Sequence, residues 1–487
     1  MFEQLIVNSS NAQSLGNYIS SNQLLIDEFI NSSIEDQRRQ ENLFQQFVLL
    51  NSRVQIMDSL DFTKSTNRAF IAILFDYAER VNAVAAAVQL YQIIQRHNLG
   101  IGSRLEASML YLYNVPNNQV YVDRFDEICS KLQTAINEED DDDKRAVATF
   151  LNYYSSVVYN TSPHVHFAQD IISKVNTSAD TYPFLHKDDV TESLSLDINQ
   201  AEFVYSSIQT TIDRLLGKKK RITVINDAGF IIEANTNYVQ LLSICPKRFN
   251  AIREIAISQL QEIQNSDEVF RSLGRGVAIL EREEQLFSYM KSYGLMHKAK
   301  LLSAFFFFFF NEIKDKNIEI YDWSCGQGLA SIVLLEYLMD NNIVLKTDRV
   351  TLIEPSGIAL KRASLHVKHF DSEVRIRTVL KDMDSLEITD VSCIDGSIKL
   401  HLFSNILDVE AYSMQHLIET IKQGARGNNY MVCVSPYISD IKTARFDSFV
   451  NGFSTMSQFD MIFQDVASRG EWTNNWTKLI KTFKVTL

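Results

Sequence analysis

Hydrophobic positions over the first two-fifths of the chain return every three or four residues. From about Leu15 to Leu216 the text is poor in Gly and Pro. Phe70, Ile73, Leu74 and Tyr77, followed by Val84, Val88, Leu90 and Ile93, trace the apolar stripe of amphipathic helices. Turn signals cut this run at Asn98, Gly100 and Gly102, at Asn114, Pro116 and Asn117, and at the acidic stretch Glu138 to Asp143. Helix pairs joined by short turns predict an all-α, solenoid-like or bundled domain over residues 1–217, and no repeat consensus separates the two forms.

The pattern then changes twice. Residues 218–312 read as a linker: a hairpin from Ile222 to Ala234 around Ala228-Gly229, then two or three helices from Arg253 to Asn311, with Gly274, Gly276 and Gly294 marking turns. The last helix is expected over Tyr293 to Ile313 and contains six consecutive phenylalanines, Phe305 to Phe310. A membrane span needs about 20 apolar residues, so this run is expected as a helix buried on all sides against the next domain, and as an aggregation hazard if exposed. From 313 to 487, strands and helices alternate. Strands are predicted at Ile318 to Tyr321, Val350 to Ile353, Val374 to Val379, Ile398 to Phe403 and Tyr430 to Val434. Helices are predicted at Leu329 to Leu338, Gly357 to His369 and Glu410 to Ile421. This is the text of βαβ units, an α/β fold with a Rossmann-like parallel sheet covered on both faces. Met461 to Val466 and Leu479 to Leu487 add a terminal antiparallel pair, making seven strands.

Composition narrows the function classes. Hydrophobic residues at 46% and charged residues at 22% describe an ordinary folded protein, and 487 residues suggest two or three domains. With 47 basic against 60 acidic side chains the formal charge is -13, which repels phosphate backbones and makes nucleic acid a less favoured partner. Cys129, Cys245, Cys325, Cys393 and Cys433 show no C-x-x-C spacing, so neither a metal site nor a disulfide framework is expected. Scattered free thiols fit a reducing compartment, and Met1 to Ser20 shows no basic-then-apolar leader, so a cytoplasmic protein without a membrane segment is expected. The acidic run Glu138 to Asp143 reads as a solvated loop or helix start. Lys218, Lys219, Lys220 and Arg221 after Gly217 read as a solvated helix end at a domain junction.

The candidate chemistry lies in Ile318 to Gly328, IEIYDWSCGQG. An apolar strand runs into Asp322, followed by Ser324, Gly326 and Gly328 at alternate positions. Small residues at a strand-to-helix turn let backbone N–H groups approach a ligand that side chains would exclude, which points to a nucleotide-type cofactor. With the order of the later elements, the last 170 or so residues resemble the class I S-adenosylmethionine-dependent methyltransferases. The family's first motif is met by Asp322, Ser324, Gly326 and Gly328, with Cys325 inside the loop; Ser324 stands where the family has its first glycine, and its restricted φ is expected to weaken binding. The resemblance implies that Glu354, closing VTLIEP, holds the ribose hydroxyls. It implies that Asp382 lies near the adenine amino group with Met383 against the ring, and that Ser404 and Asn405 stand at the mouth of the pocket.

A lone G-x-G-x-x-G-like string, Gly326 to Ser331, also allows a nicotinamide cofactor, but that fingerprint calls neither for Asp322 nor for the antiparallel ending. The family's N-P-P-Y pattern after the fourth strand is absent, the sequence there reading FSNI, so the resemblance implies that base exocyclic amines and glutamine amides are disfavoured as methyl acceptors. Candidate substrate-facing groups are Asn405, Tyr437 and His297, the last as a general base; Tyr293 and Lys298 share its helix. Cys325 is expected to pack rather than react. The helical half, larger than a small-molecule enzyme needs, suggests a macromolecular substrate or partner, protein before RNA. Two other readings stay open: an inactive cofactor-binding scaffold, and a small-molecule methyltransferase.

Overall fold

The structure is a computed structural model that describes residues 1–30, 34–138, 143–216, 230–234, 236–394, 396–437, 439–456 and 458–487. The charge run at 218–221, the first strand of the expected hairpin and most of the acidic run lie outside the described residues. The chain divides into two compact units, Met1–Lys220 with Ile438–Ala444, and Arg221–Tyr437 with Arg445–Leu487.

The first unit is all-helical, from Phe2–Asn8 to Ala201–Leu216, and so begins earlier than the periodicity at Leu15 suggested. Among the described residues, α-helix length in this unit varies from 5 residues at Gln119–Asp123 to 19 at Asp143–Thr161, so no constant repeat is seen there. One apolar cluster gathers Phe2, Phe44, Phe47, Phe70 and Tyr77, with the Phe44 and Tyr77 rings edge-on at 4.7 Å. A second gathers Phe125, Phe150, Tyr153 and Val157. On the Ser65–Arg80 helix the buried Asp76 meets Arg80 at 3.1 Å and Arg104 at 2.5 Å. Burial opposes that charge, yet Arg104, Arg80 and Arg145 hold the carboxyl well below its usual range.

In the second unit the strands are β1 (Asn317–Trp323), β2 (Lys346–Ile353), β3 (Arg375–Val379), β4 (Ile398–Ser404), β5 (Asn428–Ser435), β6 (Asp460–Ala467) and β7 (Lys478–Thr486). They form one seven-stranded sheet in the order β3-β2-β1-β4-β5-β7-β6. β1 to β5 are parallel, and β7 runs antiparallel to β5 and β6. Both faces of β1 are buried, which explains its largely apolar text; Glu319 and Asp322 are buried with it. Ile318 and Ile320 join the core formed by the Leu329–Asp340 and Gly357–Phe370 helices. On the opposite face Trp323 stacks on Phe403 at 5.4 Å, and Phe449 covers them. Phe449 lies on the helix Asp440–Ser454, which the sequence reading missed. The helix expected from Glu410 begins instead at Met414, where Ser413 caps the His416 N–H.

Order along the chain reverses between β1 and β4: β2 and β3 continue on one side of β1, β4 and β5 on the other. The connections leave in opposite directions and open a crevice at the carboxyl ends of these strands, the usual ligand position in open α/β sheets.

Three expectations for residues 218–312 are corrected. Phe230 to Ala234 form no strand; the Ile231 N–H instead donates to Thr378 Oγ1 at 3.0 Å, and the Glu233 N–H to the Lys361 carbonyl at 3.2 Å. Gly294 marks no turn but sits inside the Glu283–Phe306 helix, where a Cβ would lie 3.1 Å from the Phe249 ring. That helix ends within the phenylalanine run, so the run is not buried all round: Phe305, Phe308 and Phe310 face inward, while Phe306 is 71% and Phe309 52% exposed. Among the described residues no helix is long and apolar enough to cross a membrane.

Candidate functional site

The loop after β1 sits at the point where the strand order reverses. Cys325 N–H donates to the Ile353 carbonyl at 2.9 Å, tying the loop to the end of β2, and Gly328 N–H closes a turn onto the Cys325 carbonyl at 2.7 Å. Three residues of this turn are left-handed: Ser324 at φ 49°, Gly326 at 52° and Gly328 at 75°. The two glycines serve different ends. A Cβ at Gly328 would stand 3.2 Å from both Cα and Cβ of Ala363, so this position lets the Gly357–Phe370 helix pack close. A Cβ at Gly326 would meet nothing within 4 Å, so here the missing side chain leaves open space over the backbone.

Two carboxylates flank the loop. Asp322, near the end of β1, accepts hydrogen bonds from the Ser331 N–H at 3.0 Å and the Ser331 hydroxyl at 2.7 Å, anchoring the start of the Leu329–Asp340 helix. Glu354 follows β2 and accepts the Gly326 N–H at 3.0 Å on one oxygen and the Ser356 N–H at 2.9 Å on the other. Burial, with a smaller push from the Glu354 charge and against the Ser331 hydrogen bonds, raises the Asp322 carboxyl to about 7. The same burial, followed by the charges of Asp322 and Glu354, pushes the Cys325 thiol well above its normal range, so it is no nucleophile.

A hollow opens beside this loop, lined by Tyr289, His297, Asp322, Ser324, Cys325, Gly326, Leu329, Ala330 and Ser404. Of the residues singled out from sequence, Asp322, Ser324, Cys325, Gly326, Ser404 and His297 meet there. Gly328, Glu354, Asp382 and Met383 are absent from the lining; Glu354 follows β2, and Asp382 and Met383 follow β3. Asp382 accepts the Ser385 N–H at 2.9 Å, and Met383 is buried. Asn405 sits at φ 58° with its side chain turned toward His297 and Lys300, and Tyr437 is absent from the lining. Lys298 pairs with Glu336 at 2.7 Å, and Tyr293 packs against Tyr289 with ring centroids 5.1 Å apart.

Both ring nitrogens of His297 are engaged: Nδ1 lies 2.9 Å from Ser404 Oγ, and Nε2 lies 2.7 Å from Asn405 Nδ2 and 3.3 Å from the Tyr289 hydroxyl. Burial, then the Lys300 charge, lowers this imidazole to about 3, so it is neutral at physiological pH. Sequence reasoning missed Tyr289 and Lys300. The signal was present, since Tyr289, Tyr293, His297 and Lys300 recur at steps of four, four and three along one helix.

No family model matches the sequence, and no curated protein matches it. Among solved structures, the plantazolicin methyltransferase BpumL in complex with SAH is similar over 48% of this chain and 99% of its own, at 10% identity and a TM-score of 0.27. A Listeria monocytogenes protein described as a class I S-adenosylmethionine-dependent methyltransferase is similar over 76% of this chain and 89% of its own, at 11% identity and a TM-score of 0.29. The complex of the Haloferax volcanii Trm112 methyltransferase activator with a methyltransferase matches over 40% and 92%, at 15% identity and a TM-score of 0.26. Likeness at this level carries no weight of its own beside the strand order and the loop after β1.

Proposed function

We propose that the second unit binds S-adenosylmethionine and transfers its methyl group. The observation that carries this reading is Gly326: a left-handed glycine with open space over it, its N–H held by Glu354, at the crevice where the strand order reverses. In this reading Ser324, Cys325 and Gly326 present backbone to the donor, and Glu354, the acid at the tip of β2 that also holds the Gly326 N–H, receives the ribose diol. Asp382 and Met383 after β3 border the adenine, Gly328 keeps the loop against its helix, and Ser404 and Asn405 close the far side. The buried Asp322 fits a cationic ligand, because a positive charge nearby relieves the cost of ionising it.

When bound, the donor supplies an electrophilic methyl carbon on a sulfonium. The protein's task is then to hold the acceptor in line with that carbon and to keep water out, work that positioning alone performs. Tyr289 and Ser404 offer the hollow its uncharged polar groups. His297 is unsuited to a general base, with both nitrogens occupied and a depressed proton affinity.

The acceptor we assign is macromolecular, a protein in preference to RNA, selected by the helical unit over residues 1–217. The size of that unit and the net charge of -13 support this. Incubating the full chain with methyl-labelled donor in a cell lysate tests it. Label in protease-sensitive material supports the assignment, whereas label only in nuclease-sensitive or low-molecular-weight material contradicts it.

A further inference from the structure

Four side chains between the Glu283–Phe306 helix and the end of β4 form a hydrogen-bonded chain whose direction follows from donor and acceptor chemistry. The buried Lys300 ammonium lies 2.6 Å from Asn405 Oδ1, and an ammonium only donates. The Asn405 oxygen is thereby fixed toward Lys300, and its NH2 faces His297 Nε2 at 2.7 Å. An amide NH2 cannot accept, so Nε2 is the bare nitrogen. The proton of the neutral ring is therefore on Nδ1, and it is donated to Ser404 Oγ at 2.9 Å. Having accepted there, the Ser404 hydroxyl is left to give its own hydrogen elsewhere, and Ser404 lines the hollow. The depressed proton affinity of His297 keeps Nε2 from gaining a hydrogen that would oppose the Asn405 NH2.

We propose that Lys300, Asn405 and His297 are positioning residues that hold Ser404 as a hydrogen-bond donor to a carboxylate or carbonyl oxygen of the bound reactants. The inference rests on the methyltransferase reading. The oxygen comes from one of two sources: the carboxylate on the methionyl part of the donor, or a carbonyl beside the nucleophile of the acceptor. Linked donors polarise one another, so the Lys300 charge at the head of the chain strengthens the Ser404 hydroxyl as a donor at its tail.

Two measurements on the full chain test this. Nitrogen-15 NMR of histidine-labelled protein, with the His297 signals assigned by their loss in His297→Gln, reads the tautomer without any ligand. The expected result is a neutral Nδ1–H ring from pH 5.5 to 8, with the Nε2–H form emerging in Lys300→Met as the amide is freed to turn over. An Nε2–H ring or an imidazolium in the wild type overturns the proposal. The second measurement compares S-adenosylhomocysteine with 5′-methylthioadenosine, which lacks the amino-acid part. A loss of about tenfold in S-adenosylhomocysteine affinity in Ser404→Ala, with 5′-methylthioadenosine unchanged and Ser404→Thr restoring the affinity, assigns the oxygen to the donor. Unchanged binding of both ligands with label transfer down at least tenfold assigns it to the acceptor. Equal weakening of both ligands, or no change in binding or transfer, overturns the role given to Ser404. Should neither ligand bind the wild type, the methyltransferase reading fails, while the NMR result still decides the tautomer.

Discussion

Glu354 accepts the backbone N–H of Gly326 at 3.0 Å, joining the tip of β2 to the loop that follows β1. A carboxylate after one strand thus fixes the turn after its neighbour, and its other oxygen is held by Ser356 N–H. Replacing the charge while keeping the shape sets an amide NH2 against one of these N–H donors. Glu354→Gln is expected to weaken S-adenosylhomocysteine binding at least tenfold, measured by calorimetry, with the far-ultraviolet circular dichroism unchanged.

The two loop glycines predict opposite phenotypes. Gly328→Ala drives a methyl group to 3.2 Å from the Ala363 backbone and is expected to cost about 1–3 kcal/mol of stability in urea unfolding. At Gly326 a Cβ meets no atom within 4 Å, so Gly326→Val carries backbone strain of about 1–3 kcal/mol from its positive φ, and by filling the space over the loop it is expected to abolish cofactor binding. Equal effects of the two on binding would contradict the separation of roles.

Ser324 adopts φ 49°, a conformation that costs an L-residue about 1 kcal/mol more than glycine. Part of that gain is offset by the greater chain entropy of glycine when unfolded. Ser324→Gly is therefore expected to raise stability modestly, by about 0.5 kcal/mol, read as a higher urea midpoint.

Asp322 links stability to pH. Its carboxyl is raised from 3.8 to about 7 by burial, so between those values the folded chain holds a proton that the unfolded chain has released. Stability from this group falls as pH rises through that window and is flat above it. Asp322→Asn removes the ionisation, so the variant is expected to gain on the wild type from pH 4 to 7, by on the order of 1–4 kcal/mol at pH 8. Urea unfolding at several pH values checks this, and a difference independent of pH would refute it.

Much of the sheet was legible because strands buried on both faces are rich in apolar residues, as IEIY, VTLI and LHLF are, each interrupted by only one polar residue. The loop after β1 was legible for a related reason: alternate small residues, Ser324, Gly326 and Gly328, mark a tight strand-to-helix turn, and all three adopt positive φ there. Tyr289 and Lys300 were not, because their helix ends more than 90 residues before Ser404 and only the fold brings them together. The Asp440–Ser454 helix escaped notice although Phe446, Phe449, Val450 and Phe453 carry its stripe, since polar residues fill its first turns. The phenylalanine run misled because composition suggested full burial, whereas the helix ends at Phe306 and the rings of Phe306, Phe307 and Phe309 turn outward.

Isothermal titration of the full chain with S-adenosylmethionine tests the central claim most directly. The account predicts saturable one-to-one binding to the wild type that is lost in Gly326→Val and Glu354→Ala. No measurable binding to the wild type, or binding by both variants with wild-type affinity, would contradict it.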